Sequence, residues 1–188
     1  MSTTEKVEKT QRIRKIRKIR KIRKMLNTDW RSVQAIWNGK VAEPVADNCW
    51  KAAMTDRSLV KLAGVQWRWR IAVDEKDVVC GFIYWLHGDN PTVHAIAADI
   101  EQTYLQLVDA VLAESKDHAW GYLISNRPEC EYFRNIGAKL VPVGFAPINE
   151  KRFAKRSDTL TARRVKRYRV IVPVSCRKAI GTRLKELS

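Results

Sequence analysis

The sequence predicts a mixed α/β protein of the α+β type, in which a mixed sheet carries helices on both faces. Three observations predict it. Residues 65–73 alternate between apolar and polar side chains, as a half-buried strand does. Residues 78–86 form a continuous apolar run, which is typical of a strand covered on both faces. Residues 94–117 repeat apolar side chains at three- and four-residue steps, which predicts an amphipathic helix.

The remaining elements are short, and turn or cap residues separate them. The other predicted helices lie at residues 27–37, 48–63, 126–137 and within 175–188. The other predicted strands lie at residues 119–125, 140–145 and 167–174. A strand–helix–strand–helix–strand order after an antiparallel hairpin predicts a sheet with both parallel and antiparallel neighbours.

Positive charge is concentrated at the two ends of the chain. The 188 residues carry a net charge of +16. Residues 1–26 contain 11 Lys and Arg against 2 acids, residues 150–188 contain 13 against 3, and residues 27–149 contain 12 against 15. We therefore expect a basic arm at 1–26, a folded body at 27–174 and a basic tail at 175–188. This balance favours polyanionic partners.

The spacing of the cysteines and the hydropathy of the chain indicate where in the cell the protein is located. Cys49, Cys80, Cys130 and Cys176 are widely spaced and show no zinc-ligand pattern, so no metal site is expected. Buried, reduced thiols are the expectation. No apolar run reaches the length of a membrane-spanning helix, and no secretory signal is recognisable. We expect an intracellular protein.

The stretch RIRKIRKIRKIRKM repeats Ile-Arg-Lys from Arg12 to Met25. A three-residue period drifts around a helix of 3.6 residues per turn, so no coiled-coil seam is expected. Three interpretations stay open: a cationic arm on nucleic acid, a membrane-surface helix, and a repeat expansion left as a solvated arm. The candidate nucleic-acid contacts are Arg12, Arg14, Lys15, Arg17, Lys18, Arg20, Lys21, Arg23, Lys24, Arg163, Arg164, Lys166 and Arg167.

Two further aromatic patterns have a structural and a functional interpretation. In WRWR, the spacing of Trp67 and Trp69 predicts core packing, with Arg68 and Arg70 on the other face. Near the C-terminus, Tyr168 lies among arginines that could stack bases, although a solvated basic strand edge explains it equally well.

The segment WGYLISNRPECEYFRNIGAKLVPVGF resembles the GNAT-type N-acetyltransferase fold. In that family a strand ends at an Asn, a helix follows, and a Gly closes it, and Asn126 and Gly137 have that spacing. The resemblance covers about residues 27–174. It implies acetyl-CoA as cofactor and an amine as acceptor.

The sequence also departs from that family. The Gly-rich loop that binds the cofactor diphosphate is absent, and Ala97 and Ala98 stand near its place. Phe133 occupies the position of a proton-donating Tyr, so the candidate catalytic residues are His87, His94 and Tyr132. The candidate cofactor contacts are Asn126, Ala97 and Ala98.

YFRNIGAKL, with a helix lacking the Gly-rich loop, is more similar to GNAT-like internal virion protein A type proteins of T7-like bacteriophages. This resemblance implies a non-catalytic role in virion assembly or nucleic-acid contact, with no bound cofactor and with other phage proteins as partners. It also implies a location in the host cytoplasm or the virion. The alternative is an acetyl-CoA-dependent N-acetyltransferase.

Overall fold

The computed structural model describes residues 19–40, 67–124, 127–147 and 164–188. The described strands are β1 (Ile19–Lys24), β2 (Trp67–Asp74), β3 (Val79–Leu86), β4 (Thr92–Ala98), β5 (His118–Ile124), β6 (Lys139–Pro147) and β7 (Arg164–Pro173). The described α-helices are α1 (Trp30–Lys40), α2 (Glu101–Leu112), α3 (Glu129–Asn135) and α4 (Arg177–Glu186). Short 3-10 turns at Asn27–Asp29 and Val174–Cys176 lead into α1 and α4.

The seven strands form one mixed sheet in the order β1-β2-β3-β4-β5-β7-β6. Neighbours are antiparallel, except that β4 runs parallel to β5. The predicted mixed sheet, the hairpin of β2 and β3, and strands β5 to β7 are confirmed. The predicted helix at 48–63 lies outside the described residues.

One face of the sheet is covered by α1. Val33 of α1 is fully buried against Ile71 of β2 and Phe82 of β3. Trp67 and Trp69 pack on the same face, and Trp69 stacks on Tyr84 with ring centroids 4.5 Å apart. The core role predicted for the tryptophan pair is confirmed.

The opposite face packs against the other three helices. Leu105 of α2, Phe133 of α3 and Ile180 of α4 are buried in one apolar cluster with Trp85 of β3. Arg68 and Arg70 lie on this face, where both guanidinium groups contact the carboxylate of Glu114 at the end of α2. The arginines therefore sit beside a helix edge, as the alternation of WRWR predicts.

Residues 92–98 correct one prediction. They form strand β4, and the helix predicted from residue 94 begins only at Glu101. Ala95 pairs with Tyr84 and Ala97 with Phe82, so hydrogen bonding to β3 outweighs the helical propensity of alanine. The result is a four-stranded antiparallel half-sheet, β1 to β4.

One segment from each of the two basic regions, β1 and α4, packs against the folded body. Residues 19–24, expected in a helical or solvated arm, form β1, in which Ile22 pairs with Ala72 and packs on the core. In the segment expected to be a tail, Ile180 of α4 is fully buried. An available strand edge and an apolar helix face explain both differences, because pairing and burial outweigh the local excess of charge.

The described cysteines Cys80, Cys130 and Cys176 are buried, as expected. Burial raises the pKa of the Cys130 and Cys176 thiols. None of the described helices is long and apolar enough to cross a bilayer. Across the described ranges, no three His, Cys, Asp or Glu side chains come together as a metal-ligand group.

Candidate active site

A wedge-shaped cleft opens between the parallel strands β4 and β5. The two strands are in register only at Thr92 and Trp120, where the Trp120 N–H donates to the Pro91 carbonyl at 3.0 Å. Their backbones also touch at Gly121, where a Cβ would lie 2.9 Å from the Val93 carbonyl oxygen. Beyond these contacts the ladder stops, although β4 continues to Ala98 and β5 to Ile124. Within the part of the chain that the structure describes, the facing backbone groups of β4 up to Ala97 are therefore available to a ligand.

The cleft encloses a cavity of about 380 Å³. Its sides are β4 and β5, and its inner end is formed by apolar residues of α2, α3 and β7. The lining from these helices and β7 includes Tyr104, Val108, Val111, Phe133, Val170 and Val172. This is an apolar slot with a polar backbone edge, which suits an extended chain that carries amide groups.

The N-terminus of α2 lies at the end of β4, which forms one wall of the cleft. Only Asp99 and Ile100 separate the two elements, and Ile100 caps the helix without a side-chain hydrogen bond. The N–H groups of the first turn therefore have no intrahelical acceptor, and the helix dipole adds partial positive charge. Such an end binds anions.

Glu101 adds an acidic side chain to that first turn. Arg183 of α4 donates to it through Nε at 2.9 Å and Nη2 at 3.3 Å. The hydrogen bonds from Arg183 to Glu101 and Glu186 raise the pKa of the Arg183 guanidinium. The ion pair offsets the negative charge that Glu101 would otherwise place beside a bound anion.

Two tyrosines meet at the inner end of the cleft. Tyr104 of α2 lines the cavity, and its ring lies 5.8 Å from that of Tyr132 on α3. Burial and then the charge of Glu129 raise the pKa of Tyr104 well above its ordinary value, and the same causes raise the pKa of Tyr132. Both phenols therefore stay protonated at neutral pH and can donate a proton.

Glu129, in the first turn of α3, also lines the cavity. Its Oε2 atom is buried and has no hydrogen-bond partner. Sequence reasoning missed both Glu129 and Tyr104. Tyr104 belongs to an apolar stripe that indicates core, whereas the placement of Glu129 in the first turn of the helix that follows β5 was a usable signal.

His94 occupies an irregular position in β4. Tyr84 pairs with Ala95 and Trp85 with Val93, so His94 is the extra residue of a β-bulge. Its ring packs edge-on to Trp67 with a centroid distance of 4.6 Å, and the residue lines the cleft. Burial lowers the pKa of His94, which keeps the imidazole neutral at pH 7.

The other predicted site residues differ in their relation to the cleft. Ala97 and Ala98 line it as part of β4, whereas Tyr132 is not a lining residue and packs against Tyr104. His87 directly follows β3 and is not part of the cleft lining. Asn126 lies outside the described residues.

The predicted nucleic-acid contacts fall on separate strands. Lys21, Arg23 and Lys24 lie on β1, at one edge of the sheet, and Arg164, Lys166 and Arg167 lie on β7, five strands away. Arg12, Arg14, Lys15, Arg17, Lys18 and Arg163 lie outside the described residues, and only the backbones of Arg20 and Arg164 are described. The described members therefore do not form one continuous surface.

The chain matches no protein-family model and no curated protein. Its structure is similar to the ribosomal-protein-S18-alanine N-acetyltransferase from Escherichia coli, with TM-score 0.54, 13% identity, and coverage of 82% of this chain and 93% of that chain. It is similar to a GNAT superfamily phosphinothricin acetyltransferase from Sinorhizobium meliloti in complex with AcCoA, with TM-score 0.52, 17% identity, and coverage of 81% and 87%.

A chimera of the spermidine N-acetyltransferase SpeG from Vibrio cholerae and hSSAT is similar too, with TM-score 0.52, 12% identity, and coverage of 84% and 97%. The resemblance to bacteriophage virion proteins receives no support from these structures. The chain has the fold of the GNAT-type N-acetyltransferases.

Proposed function

We propose that this protein is an N-acetyltransferase that transfers an acetyl group from acetyl-CoA to an amine. The observation that carries the proposal is the cleft between β4 and β5, where two parallel strands diverge after their pairing at Thr92 and Trp120. A structural neighbour from Sinorhizobium meliloti is in complex with AcCoA, which supports acetyl-CoA as the ligand class.

The residues of the cleft fit such a cofactor. The backbone of β4 from Val93 to Ala97 would hydrogen-bond its amide-containing arm, and the first-turn N–H groups of α2 would hold its diphosphate. The connection of Asp99 and Ile100 contains no glycine, so the helix end itself replaces a glycine-rich loop in this role. Bound acetyl-CoA would supply an acetyl thioester, whose carbonyl carbon an amine attacks.

Two described residues have the protonation states that this chemistry needs. The neutral imidazole of His94 accepts the proton that the acceptor amine loses. The protonated phenol of Tyr104, at the inner end of the cleft, serves as proton donor to the leaving group. Tyr104 thereby takes the role that Phe133 cannot perform.

This proposal replaces the non-catalytic, cofactor-free role expected from the sequence. That expectation rested on the missing Gly-rich loop and on Phe133. The N-terminus of α2, which has no side-chain cap, compensates for the missing loop. The buried Tyr104 compensates for Phe133. The similar structures are N-acetyltransferases, and they favour the alternative function over virion assembly.

Calorimetry with acetyl-CoA and a thiol-release assay with a panel of amines test the proposal. We expect micromolar binding and amine-dependent release of CoA. Leu123→Trp should fill the cleft and weaken binding by at least about tenfold, because Leu123 lines the cavity. Val141→Trp, at a half-exposed position on β6, is the matched control. Absence of both binding and CoA release in the folded protein would overturn the proposal.

A further inference from the structure

Strands β5 and β7 present a second surface, on the sheet face opposite to α2, α3 and α4. Val170 and Val172 point into the core beneath those helices, so the alternate residues Arg167 and Arg169 point to the other face. Tyr122 pairs directly with Arg169, which places both on that face, and Trp120 follows two residues along. We call Trp120, Tyr122, Arg167 and Arg169 the cationic–aromatic face.

The arginines of this face lie against its rings. The guanidinium carbon of Arg167 is 4.1 Å from the ring centroid of Tyr122. That of Arg169 is 5.4 Å from the Trp120 ring and 6.0 Å from the Tyr122 ring. Cation–π contacts at these distances hold both guanidinium groups in place without using their outer N–H donors.

The positive charge of this face is not balanced. Arg68, Arg70, Arg177 and Arg183 each contact a carboxylate. Arg167 and Arg169 contact no carboxylate of the described residues, and the Nε atom of Arg167 is buried without a hydrogen-bond partner. The sequences of β5, β6 and β7 contain no Asp or Glu. An anionic ligand would therefore meet N–H donors and no carboxylate from these three strands.

Apolar and aromatic surface accompanies that charge. The side chain of Tyr122 is 44% exposed. Val141 of β6 pairs with Arg169 on the same face and is 43% exposed. A ligand that offers both negative charge and flat apolar groups would match the face best.

We propose that the cationic–aromatic face binds single-stranded nucleic acid without sequence preference. Unpaired bases stack on aromatic rings and on guanidinium planes, and phosphates accept hydrogen bonds from the same arginines. A sheet surface offers ring faces that paired bases inside a duplex cannot reach. The net charge of +16 supplies attraction at long range. Trp120 and Tyr122 also line the β5 side of the cleft, so a bound strand would lie beside the proposed acetyl-transfer site. The binding assay below contains no acetyl-CoA, and its outcome therefore does not depend on acetyl transfer.

Fluorescence anisotropy with a labelled 15-nucleotide oligo-dT tests the proposal on the full chain. The double variant Arg167→Gln/Arg169→Gln should weaken binding by at least tenfold. The logarithm of the association constant falls as the logarithm of the salt concentration rises, by about 0.7 for each single-strand phosphate contact. The double variant should therefore make this negative slope shallower by about 1.4. The matched control Arg134→Gln/Lys178→Gln removes equal charge from exposed positions on α3 and α4 and should bind within twofold of the wild type.

Two further variants separate stacking from charge. Tyr122→Leu should weaken oligo-dT binding about tenfold and leave the affinity for an abasic 15-mer unchanged. Arg167→Lys/Arg169→Lys should keep the salt slope but lose the preference for oligo-dT over the abasic strand. A circular dichroism melt of each variant confirms folding.

Three outcomes would overturn the proposal. One is equal binding by the glutamine pair and its control, which would assign the affinity to other basic segments. Another is equal affinity for duplex and single strand. The third is that Arg167→Gln/Arg169→Gln weakens binding to phosphatidylserine vesicles but not to oligo-dT. That result would identify a lipid surface as the ligand instead.

Discussion

The guanidinium group of Arg23 makes two hydrogen bonds with the carboxylate of Asp29, from Nη1 to Oδ2 at 2.7 Å and from Nη2 to Oδ1 at 2.9 Å. The Leu26 N–H donates to the same carboxylate at 2.6 Å. Asp29 is buried, and the pair joins the end of β1 to the start of α1. An arginine of the basic repeat thus stabilises the fold.

We predict that Asp29→Ala lowers the free energy of unfolding by about 1.5–3 kcal/mol, because it leaves Arg23 and the Leu26 N–H without their acceptor. Asp29→Asn should cost less, since its amide oxygen still accepts from Leu26. Urea denaturation at neutral pH measures both. Equal stability of Asp29→Ala and wild type would contradict a structural role for the pair.

The same pair predicts a pH dependence. The hydrogen bonds from Arg23 lower the pKa of Asp29, so its stabilisation is present above the unfolded-state pKa of about 4 and is lost as pH falls through the lower, folded-state pKa. The stability difference between wild type and Asp29→Asn should therefore shrink below about pH 4. A difference that stays constant down to the acid transition would exclude Asp29 as its source.

Deletions separate the two parts of the repeat. Removing residues 1–18 leaves β1 intact, and we expect the melting temperature to remain within about 2 °C of wild type. Removing residues 1–24 also removes β1 and the Arg23–Asp29 pair, and it should lower the melting temperature by about 5–10 °C. Differential scanning calorimetry compares the two, and equal melting temperatures would show that β1 contributes nothing.

Gly121 sets the point at which β4 and β5 meet. Gly121→Ala would place a Cβ 2.9 Å from the Val93 carbonyl oxygen, and we predict a loss of about 1–3 kcal/mol in unfolding free energy. Gly181→Ala in α4 is the matched control, because a Cβ there meets nothing within 4 Å. It should stabilise by about 0.5–1 kcal/mol through helix propensity. The opposite order of stabilities would contradict this contact between β4 and β5.

His94 predicts a pH profile for acetyl transfer. Burial lowers its pKa, so with an arylamine acceptor, which is unprotonated in this range, kcat/KM should rise with a pKa below 6.5. His94→Gln should abolish that rise and lower the plateau by about 10²-fold. A rise that persists in His94→Gln would assign the base to another group.

Substitution of Ile180 tests whether α4 unfolds together with the rest of the protein. Ile180 is fully buried against α2 and the core of the sheet, so Ile180→Ala should cost about 2–5 kcal/mol. Lys178→Ala, exposed on the same helix, should change stability by less than about 0.5 kcal/mol. Guanidinium unfolding distinguishes them, and similar midpoints would indicate a helix that is not part of the cooperative unit.

Elements with strong local patterns could be predicted from the sequence. The alternation of residues 65–73, the apolar run of β3 and the amphipathic stripe of α2 each bury enough apolar surface to determine their own conformation. β1 and β4 could not be predicted, because a charged repeat and an alanine-rich segment become strands only when a neighbouring edge accepts their hydrogen bonds.

The candidate site shows the same division. His94, Ala97 and Ala98, which line the cleft, were proposed from their place in the chain, and Tyr132 was proposed because it lies beside Phe133. Tyr104 and Glu129 also line the cleft, but their position there depends on which helix ends converge on it. Arg167 was recognised from charge, but its contact with Tyr122 requires β5 and β7 to pair.

The sequence by itself therefore determined the mixed α/β class, the concentration of charge at both ends and the resemblance to the acetyltransferase fold. Only the tertiary structure decided where β4 and β5 separate, which helix end lies beside that cleft, and which of the described arginine side chains contact no carboxylate. These features depend on which backbone edges and side chains meet across the sheet, and local periodicity contains no information about such contacts.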